Sequence, residues 1–372
     1  MRKIIINGAN GYVASNFINE LLDKGYEVIA LVRGNKKLSA NERMYNVLEE
    51  TTDGKHSNNK NLKVFSYGLL EADFGLSKAL LKIIFSGNFD YYHFAANLKL
   101  KYDLKSRDEI FSTNIDGLEN SLNVYNEYSN VNSRFFFIST AYSCGKHEGV
   151  FEEKFYDNAD ISEFRNYYEQ SKRYAENVVK KHIDDNGTRA HVIRLSQVVG
   201  HSTSGITKTD YGIFDFAKRM YSLSNRYPNK KVRMVVDSNS TQNLIPIDTV
   251  VNYLKRTVEV ENPPVIINCI AKYSTPNRYI IDSIAKLMPI SIIPVSELDK
   301  NEMEPVERLV SVGMSFTGNY ISTNLRFDTT QLDSLDKENN NTVKENNVAK
   351  MLEYFINTLR TPKGAQLMPK AS

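Results

Sequence analysis

The chain has 372 residues, 41% of them hydrophobic and 24% charged, the make-up of a globular protein with room for one large domain and a smaller one. Its formal net charge of +3, without a dense basic cluster, argues against nucleic acid as a partner. No apolar run reaches the roughly 18 residues that a membrane span needs, and the chain opens on its first strand with no room for a signal peptide, so the cytoplasm is the expected location.

Lys3 to Ile6 is a short apolar run that predicts a buried strand. Gly8, Gly11 and Ala14 follow in the spacing G-x-x-G-x-x-A, and Phe17, Ile18, Leu21 and Leu22 then mark one face of a helix that Gly25 stops. Glu27 to Val32 predicts a second strand, closing a β-α-β unit. In this order the strand delivers the chain to a tight turn. The glycines let a ligand approach the backbone, and the helix N-terminus offers unpaired N–H groups to a pyrophosphate. Gly8, Asn10, Gly11, Tyr12 and Val13 are therefore candidate contacts of a nicotinamide dinucleotide. The second strand ends at Arg33, and no acidic residue stands between Ala30 and Ala40. An arginine here suits the 2′-phosphate of NADP, whereas NAD would call for a carboxylate on its ribose. NADPH is the expected cofactor and NAD the second choice.

Ser39 and Glu42 form a capping box that opens a helix running through Glu50, and the polar stretch 51–61 predicts a loop. Leu62 to Tyr67 predicts the third strand. Asp90 to Ala96 predicts the fourth, whose C-terminal end, Ala95 and Ala96, should again face the cofactor. His93 reads as a structural strand residue. Asn114 falls in an amphipathic helix, Arg134 to Thr140 is a strongly apolar strand, and a helix from about Phe164 carries Tyr168 and Lys172. His191 to Leu195 is one more strand. Alternating strands and helices over residues 1–200 imply an α/β fold of Rossmann type, a doubly wound parallel sheet.

Past residue 200 the pattern loosens into helices at Phe214–Leu223, Thr249–Val258 and Tyr279–Met288, and strands at Asn243–Asp248 and Val265–Cys269. Residues 201–335 are read as a smaller C-terminal substrate-binding portion, and 336–347 as a polar linker. Val348, Met351, Leu352, Phe355, Ile356 and Leu359 recur at helical spacing, so 348–372 is expected to hold a docking helix and a tail.

Tyr-x-x-x-Lys sets a phenol and an ammonium one helical turn apart, where the ammonium lowers the phenol's pKa and the tyrosine exchanges a proton with a carbonyl oxygen. Among 22 tyrosines the pattern occurs at Tyr142/Lys146, Tyr168/Lys172 and Tyr227/Lys231. Gly145 and Pro228 interrupt the first and third, leaving Tyr168 as the acid/base candidate. Thr140 ends a buried strand at the face where α/β ligands bind, so its hydroxyl is a second donor to the same oxygen, while Ser139 should point away. Cys144 and Cys269, far apart, offer neither a disulfide framework nor metal spacing, and no metal is expected.

Together NGANGYVA, HFAAN, Asn114, Ser139-Thr140 and Tyr168/Lys172 resemble an extended short-chain dehydrogenase/reductase. FGLS, STAYSCGKHEGVFEE, YEQSKRYAE, IRLSQVVGHSTSG, NLIPIDTVV and FTGNYISTNLRFDT are similar to its thioester-reductase and male-sterility (fatty acyl-CoA reductase) branch, over roughly residues 3–330. The resemblance implies that Asn114, Tyr168 and Lys172 also serve the cofactor. It implies reduction of an acyl thioester, on CoA or an acyl carrier protein, to an aldehyde or alcohol, with Thr140, Tyr168 and Lys172 at the reacting centre. Two departures stand out. Gly68-Leu69-Leu70 lacks the aspartate of the usual Gly-Asp-Leu, which leaves adenine binding open, and Leu195 replaces the usual proline. The alternative is a nucleotide-sugar epimerase or dehydratase. Ala141-Tyr142 after Thr140, where a dehydratase carries Asp-Glu, disfavours dehydration, and Arg33 weighs against the bound NAD of an epimerase. A non-catalytic NADP-binding regulator is the third reading, against which the intact Thr140, Tyr168 and Lys172 weigh.

Overall fold

The computed structural model describes residues 2–52, 54–56, 59–99, 103–313, 320, 323–335 and 345–361. Most of the 336–347 linker, the 362–372 tail and part of the FTGNYISTNLRFDT segment lie outside the described residues. The strands are β1 Lys3–Asn7, β2 Val28–Val32, β3 Leu62–Ser66, β4 Phe89–His93, β5 Arg134–Thr140, β6 Val150–Phe151, β7 Ala190–Leu195, β8 Gln197–Val199, β9 Lys230–Val235, β10 Thr241–Gln242, β11 Leu244–Pro246, β12 Ile266–Cys269, β13 Thr275–Pro276, β14 Ile290–Val295 and β15 Arg326–Phe327. The helices are α1 Tyr12–Asp23, α2 Ala40–Thr52, α3 Lys78–Ile84, α4 Leu104–Phe111, α5 Gly117–Tyr128, α6 Tyr167–Asn186, α7 Ile213–Arg226, α8 Ile247–Glu259, α9 Asn277–Leu287, α10 Pro305–Gly313, α11 Thr330–Leu335 and α12 Glu345–Leu359.

Seven parallel strands form the central sheet in the order β12-β7-β5-β4-β1-β2-β3. β1, β2, β4, β5 and β7 are buried at every position, which is why they read as continuous apolar runs instead of alternating ones. The order reverses at β1, whose neighbours are β2 and β4, so the crevice outside its C-terminal end is the switch point where such sheets take ligands. On one face of the sheet, Phe85, Phe89, Tyr91, Tyr125 and Phe135 join a single apolar cluster with Leu118, Leu122 and Val179. Phe89 and Tyr125 meet edge to face at 5.8 Å, and Tyr91 and Phe135 stack at 5.2 Å.

Contacts divide the chain into two compact units, 1–195 with 250–269 and 327–339, and 196–249 with 270–326 and 340–372. The boundary near residue 200 therefore marks only the first crossing. The chain returns to the first unit because β12 pairs with β7 along four residues, Ile266↔Val192 to Cys269↔Leu195, and completes that edge of the sheet. Glu153 receives the backbone N–H groups of Asn268, Gln331 and Leu332 (2.8, 2.6 and 3.2 Å), tying the third segment to the same unit. In the second unit, β9 and β14 pair in parallel, as do β8 and β11. There α12 buries Val348, Met351, Leu352, Phe355, Ile356 and Leu359 against α7 and α9, with the Phe214 and Phe355 rings 5.2 Å apart.

Two element ends differ from the sequence expectation for a visible reason. The fourth strand stops at His93 and not at Ala96, because the Asn7 side-chain oxygen takes the N–H groups of Phe94 (2.9 Å) and Ala95 (3.0 Å) and bends the backbone out of the ladder. The helix expected from Phe164 begins at Tyr167, where Asn166, in extended conformation, accepts the Glu169 N–H (2.9 Å) as its N-cap.

Candidate active site

The glycine turn comes first. Gly8 has φ +61°, and a Cβ there would lie 2.7 Å from the Ala95 nitrogen and 2.9 Å from its Cα. Only glycine fits, because the colliding atoms are backbone. Gly11 donates to the Gly8 carbonyl (2.9 Å) and stands as the N-cap of α1, whose first turn holds no acidic residue. Tyr12 and Val13 open that helix, Asn10 is partly exposed beside it, and Ala95 and Ala96 run past Gly8 on the loop after β4. These residues fit a nicotinamide dinucleotide: a positive helix end reached over a turn without side chains.

Asn7, which carries no sequence signal beyond its place at a strand end, organises this corner. Fully buried, it donates to Tyr91 Oη and to His93 Nδ1 (both 2.9 Å) while its oxygen holds Phe94 and Ala95. Burial, helped by the Lys172 charge, pulls His93 down to about 3, so its ring is neutral and structural.

Arg33 is exposed at the C-terminal end of β2. The Arg43 guanidinium donates to its carbonyl, bringing a second cation to the strand end from α2. That helix opens with the Ser39/Glu42 capping box, Ser39 N to Glu42 Oε2 at 2.7 Å and Glu42 N to Ser39 Oγ at 3.2 Å. Arg33 lines a cleft of about 520 Å³ with Gly34, Lys36, Tyr67, Gly68 and Glu71.

Asn114 lies in a π-type turn, Ser112–Asp116, inserted between α4 and α5 where the sequence suggested plain helix. It is buried. Its oxygen takes the Asn97 N–H (2.7 Å), and its amide reaches Ser171 Oγ (2.9 Å), which in turn donates to the Tyr168 carbonyl (2.8 Å). Asn114 thus joins the loop after β4 to the turn of α6 that bears Tyr168 and Lys172.

At the C-terminal end of β5, Thr140 Oγ1 donates to Leu195 O (3.2 Å) and accepts from Tyr142 N (3.2 Å). A hydrogen bond links the Thr140 and Tyr168 side chains. Burial pushes the Tyr168 phenol well above its ordinary value; the Thr140 bond offsets part of this and the Glu169 charge adds to it. Lys172 does not act on that phenol as the sequence suggested. Its ammonium donates to Ile138 O (2.9 Å) above the Phe137 ring (4.7 Å), and burial brings it down to about 7, with Glu176 opposing. Lowering the phenol is therefore corrected to a lysine that is itself desolvated. Of the other Tyr/Lys pairs, Tyr142 lies in the short turn Ala141–Cys144, and Tyr227 follows α7 with Lys231 in β9. Neither pair shares a helix.

Sequence reasoning missed Glu176. Fully buried one turn beyond Lys172, it accepts from Ser139 Oγ (2.6 Å), Ser143 Oγ (2.9 Å) and Arg194 Nη2 (2.8 Å). Arg194 continues to the carbonyls of Glu152 (3.0 Å) and Lys154 (2.8 Å). This charge is fully hydrogen-bonded, as a buried carboxylate must be. It fixes Ser139 away from the reacting face and sets the loop after Thr140. The spacing of Tyr168, Lys172 and Glu176 at i, i+4 and i+8 was the available signal.

No group of three or more His, Cys, Asp or Glu able to hold a metal occurs among the described residues, and no described helix is long and apolar enough to cross a membrane.

The family model described as Male sterility protein matches residues 6–254, more than half of the chain. Peramine synthetase A of Epichloe festucae (strain Fl1) is 26% identical over 250 residues, 66% of this chain and 8% of that protein. A Drosophila melanogaster protein carrying the name of a fatty acyl-CoA reductase is 26% identical over 160 residues, 42% of this chain and 29% of its own length. The matched segments are thus less than a third of either curated relative. Among solved structures, the terminal R domain of the myxalamid PKS-NRPS pathway superposes with a TM-score of 0.79 at 16% identity, covering 97% of this chain and 92% of that one. An archaeal thiolation-reductase di-domain gives 0.73 at 17%, over 96% and 75%. UDP-glucuronic acid 4-epimerase from Bacillus cereus gives 0.66 at 16%, over 95% and 99%. Identities this low establish a common fold. With the family match and the dinucleotide-binding corner built around Gly8, the chain belongs to the Male sterility protein family, the NAD(P)-binding, thioester-reductase-like branch of the extended short-chain dehydrogenase/reductases.

Proposed function

We propose that the protein is an NADPH-dependent reductase of acyl thioesters, carried on CoA or on an acyl carrier protein, that yields an aldehyde or, after a second round, an alcohol. The observation that carries this reading is the convergence of Thr140, Tyr168 and Lys172 at the C-terminal end of β5. Gly8, Asn10, Gly11, Tyr12, Val13, Ala95 and Ala96 would hold the dinucleotide, Arg33 its 2′-phosphate, and Lys172, with Asn114 behind it, the nicotinamide ribose. The bound cofactor supplies hydride to the thioester carbonyl carbon. Negative charge then grows on the carbonyl oxygen, and the Tyr168 hydroxyl would donate to it, joined by Thr140 once its single proton turns away from Leu195 O. Burial keeps Tyr168 protonated and therefore a donor, with a proton to give. Loss of the thiol leaves the aldehyde, and a second reduction to the alcohol would use the same two donors. The nucleotide-sugar epimerase, whose structures share the fold, would use the same fold for a reaction without net reduction.

The test incubates the protein with NADPH and a panel of acyl-CoA thioesters, carrier-bound thioesters and nucleotide sugars, following NADPH absorbance, free thiol and products. Thiol and aldehyde or alcohol should appear in step with NADPH loss. Tyr168→Phe should lower turnover by about 100-fold or more, the scale of a lost oxyanion donor, with little change in NADPH affinity. Interconversion of a nucleotide sugar without NADPH consumption, with every thioester left intact, would assign the epimerase reaction instead.

A further inference from the structure

At the N-terminal edge of the central sheet, away from Thr140, lies a cleft of about 860 Å³ that the proposed reaction does not use. α5 supplies Asn123, Tyr125 and Asn126 to it, α6 ends on it with Asn186, and Ser133 and Arg189 stand just before β5 and β7. Its lining is polar apart from Val131 and Gly187, and it holds one cation and no carboxylate. Tyr125 is 2% exposed, and its ring meets Phe89 and Phe135 edge to face at 5.8 and 5.3 Å. Among the described residues its hydroxyl has no hydrogen-bond partner. Burial pushes that phenol up, as does Asp90, while the Arg189, Arg134 and Arg2 guanidiniums pull it down. Three cations therefore gather here against one carboxylate. Arg134 and Arg2 both donate to Asp90. Arg189 donates to the Glu261 carbonyl (2.6 Å) and the Asn262 side-chain oxygen (2.7 Å) and, among the described residues, has no ion-pair partner. The wall of the cleft is set in advance. Asn126 and Asn186 donate to His182 Nδ1 (2.9 and 3.2 Å), Thr188 donates to the Asn126 oxygen (2.9 Å), and His182 Nε2 faces Glu119 (3.1 Å). Carbonyls at a helix end oppose an anion, but here Gly187 N and Thr188 N take the Ile183 and His182 carbonyls (3.1 and 3.2 Å), and Ser129 N takes Tyr125 O (2.8 Å).

A buried hydroxyl donor and a guanidinium without an ion-pair partner, in a local excess of positive charge, complement an anion. The volume lies in the range of small-molecule sites and exceeds what a bare phosphate fills. Amides and hydroxyls, which both donate and accept, suit a hydroxyl-bearing body. The one aromatic side chain in the lining, Tyr125, packs its ring on Phe89 and Phe135, so no face is left to stack a base. We infer that this cleft is a second binding site, for a sugar phosphate: Arg189 and Tyr125 hold the phosphate, and Asn123 and the neighbouring amides hold the hydroxyls. The site shares α6 with Tyr168 and Lys172, neither of which lines it, and it stands independently of the thioester reading.

Calorimetry on the full chain tests this with ribose 5-phosphate, ribose and inorganic phosphate, each with and without saturating NADPH. Ribose 5-phosphate should bind at least about 10-fold more tightly than either fragment, the scale of one charge-assisted hydrogen bond, and NADPH should leave its affinity unchanged. Tyr125→Phe keeps the ring packing and removes a hydroxyl without a partner. That variant should melt like wild type while binding ribose 5-phosphate about fivefold more weakly. Arg189→Gln should weaken binding by about 10-fold or more. No binding of ribose 5-phosphate by wild type, or binding that both variants retain at full strength, would overturn the site. Displacement by NADPH would put the sugar phosphate on the glycine turn and overturn it as well. Inorganic phosphate binding as tightly as the ester would overturn the assignment of a sugar.

Discussion

Lys172 offers a measurement that does not depend on substrate. Its side chain is 3% exposed, and burial lowers it from an ordinary 10.5 to about 7, with Glu176 opposing. In the unfolded chain the amine holds its proton up to about pH 10.5; in the folded chain it releases it near 7. Between those values the unfolded state binds more protons, so stability rises with pH across that window, and below it the fold carries the full cost of a buried ammonium, about 5 kcal/mol. Lys172→Met keeps much of the volume and removes the charge. Urea unfolding followed by circular dichroism should show the variant more stable than wild type at pH 6. Its advantage should shrink by about 3 kcal/mol by pH 9, a slope set by one proton. Packing differences between Met and Lys do not titrate, so they cancel from the pH dependence. A wild-type-minus-variant difference that stays constant from pH 6 to 9 would refute the reasoning, because it would mean that Lys172 keeps its proton throughout.

Other perturbations follow from the same geometry. Gly8→Ala places a methyl 2.7 Å from the Ala95 nitrogen at φ +61°; a loss of about 1–3 kcal/mol of stability, together with loss of dinucleotide binding, is expected by thermal melt and titration. Arg33→Ala should erase most of a preference for NADPH over NADH of about 1–3 kcal/mol, read from dissociation constants; equal constants in wild type would remove the role of Arg33. Truncation before α12 uncovers the surfaces of α7 and α9 that its six apolar side chains bury. The shortened chain should melt several degrees lower or aggregate, and an unchanged melt would show that the second unit does not need the helix.

The first β-α-β unit was legible because its signals are local. A buried parallel strand needs an apolar run, the turn needs a glycine at φ +61°, and the helix needs one apolar face, and each is written in adjacent residues. The elements that sequence reasoning placed less well depend on distant partners. His93 ends its strand because of Asn7, on another strand. Residues 266–269 join the first unit because the edge of β7 accepts them, which no feature of Ile266–Cys269 announces. Tyr168 and Lys172 share one helix, as their spacing suggested, but the electrostatics of the pair depend on the Ile138 carbonyl, the Phe137 ring and the burial that tertiary structure brings.

That difference bears on how the site is held. Thr140 and Lys172 stand on two elements, β5 and α6, joined where Lys172 donates to Ile138 O, and a single buried carboxylate borders both. Glu176 binds Ser139, the residue before Thr140, and lies one turn from Lys172. Through Arg194 it also reaches the backbone at Glu152 and Lys154. A bare ion pair in this position would cost more in desolvation than it returns, but here the carboxylate accepts from two hydroxyls and a guanidinium. Its charge also opposes the burial that strips Lys172 of its proton. One group therefore sets the orientation of the Ser139 hydroxyl beside Thr140 and biases the protonation of the lysine. The Tyr-x-x-x-Lys pattern at residues 168–172 is better described as Tyr-x-x-x-Lys-x-x-x-Glu, with the buried glutamate acting on the lysine through its charge.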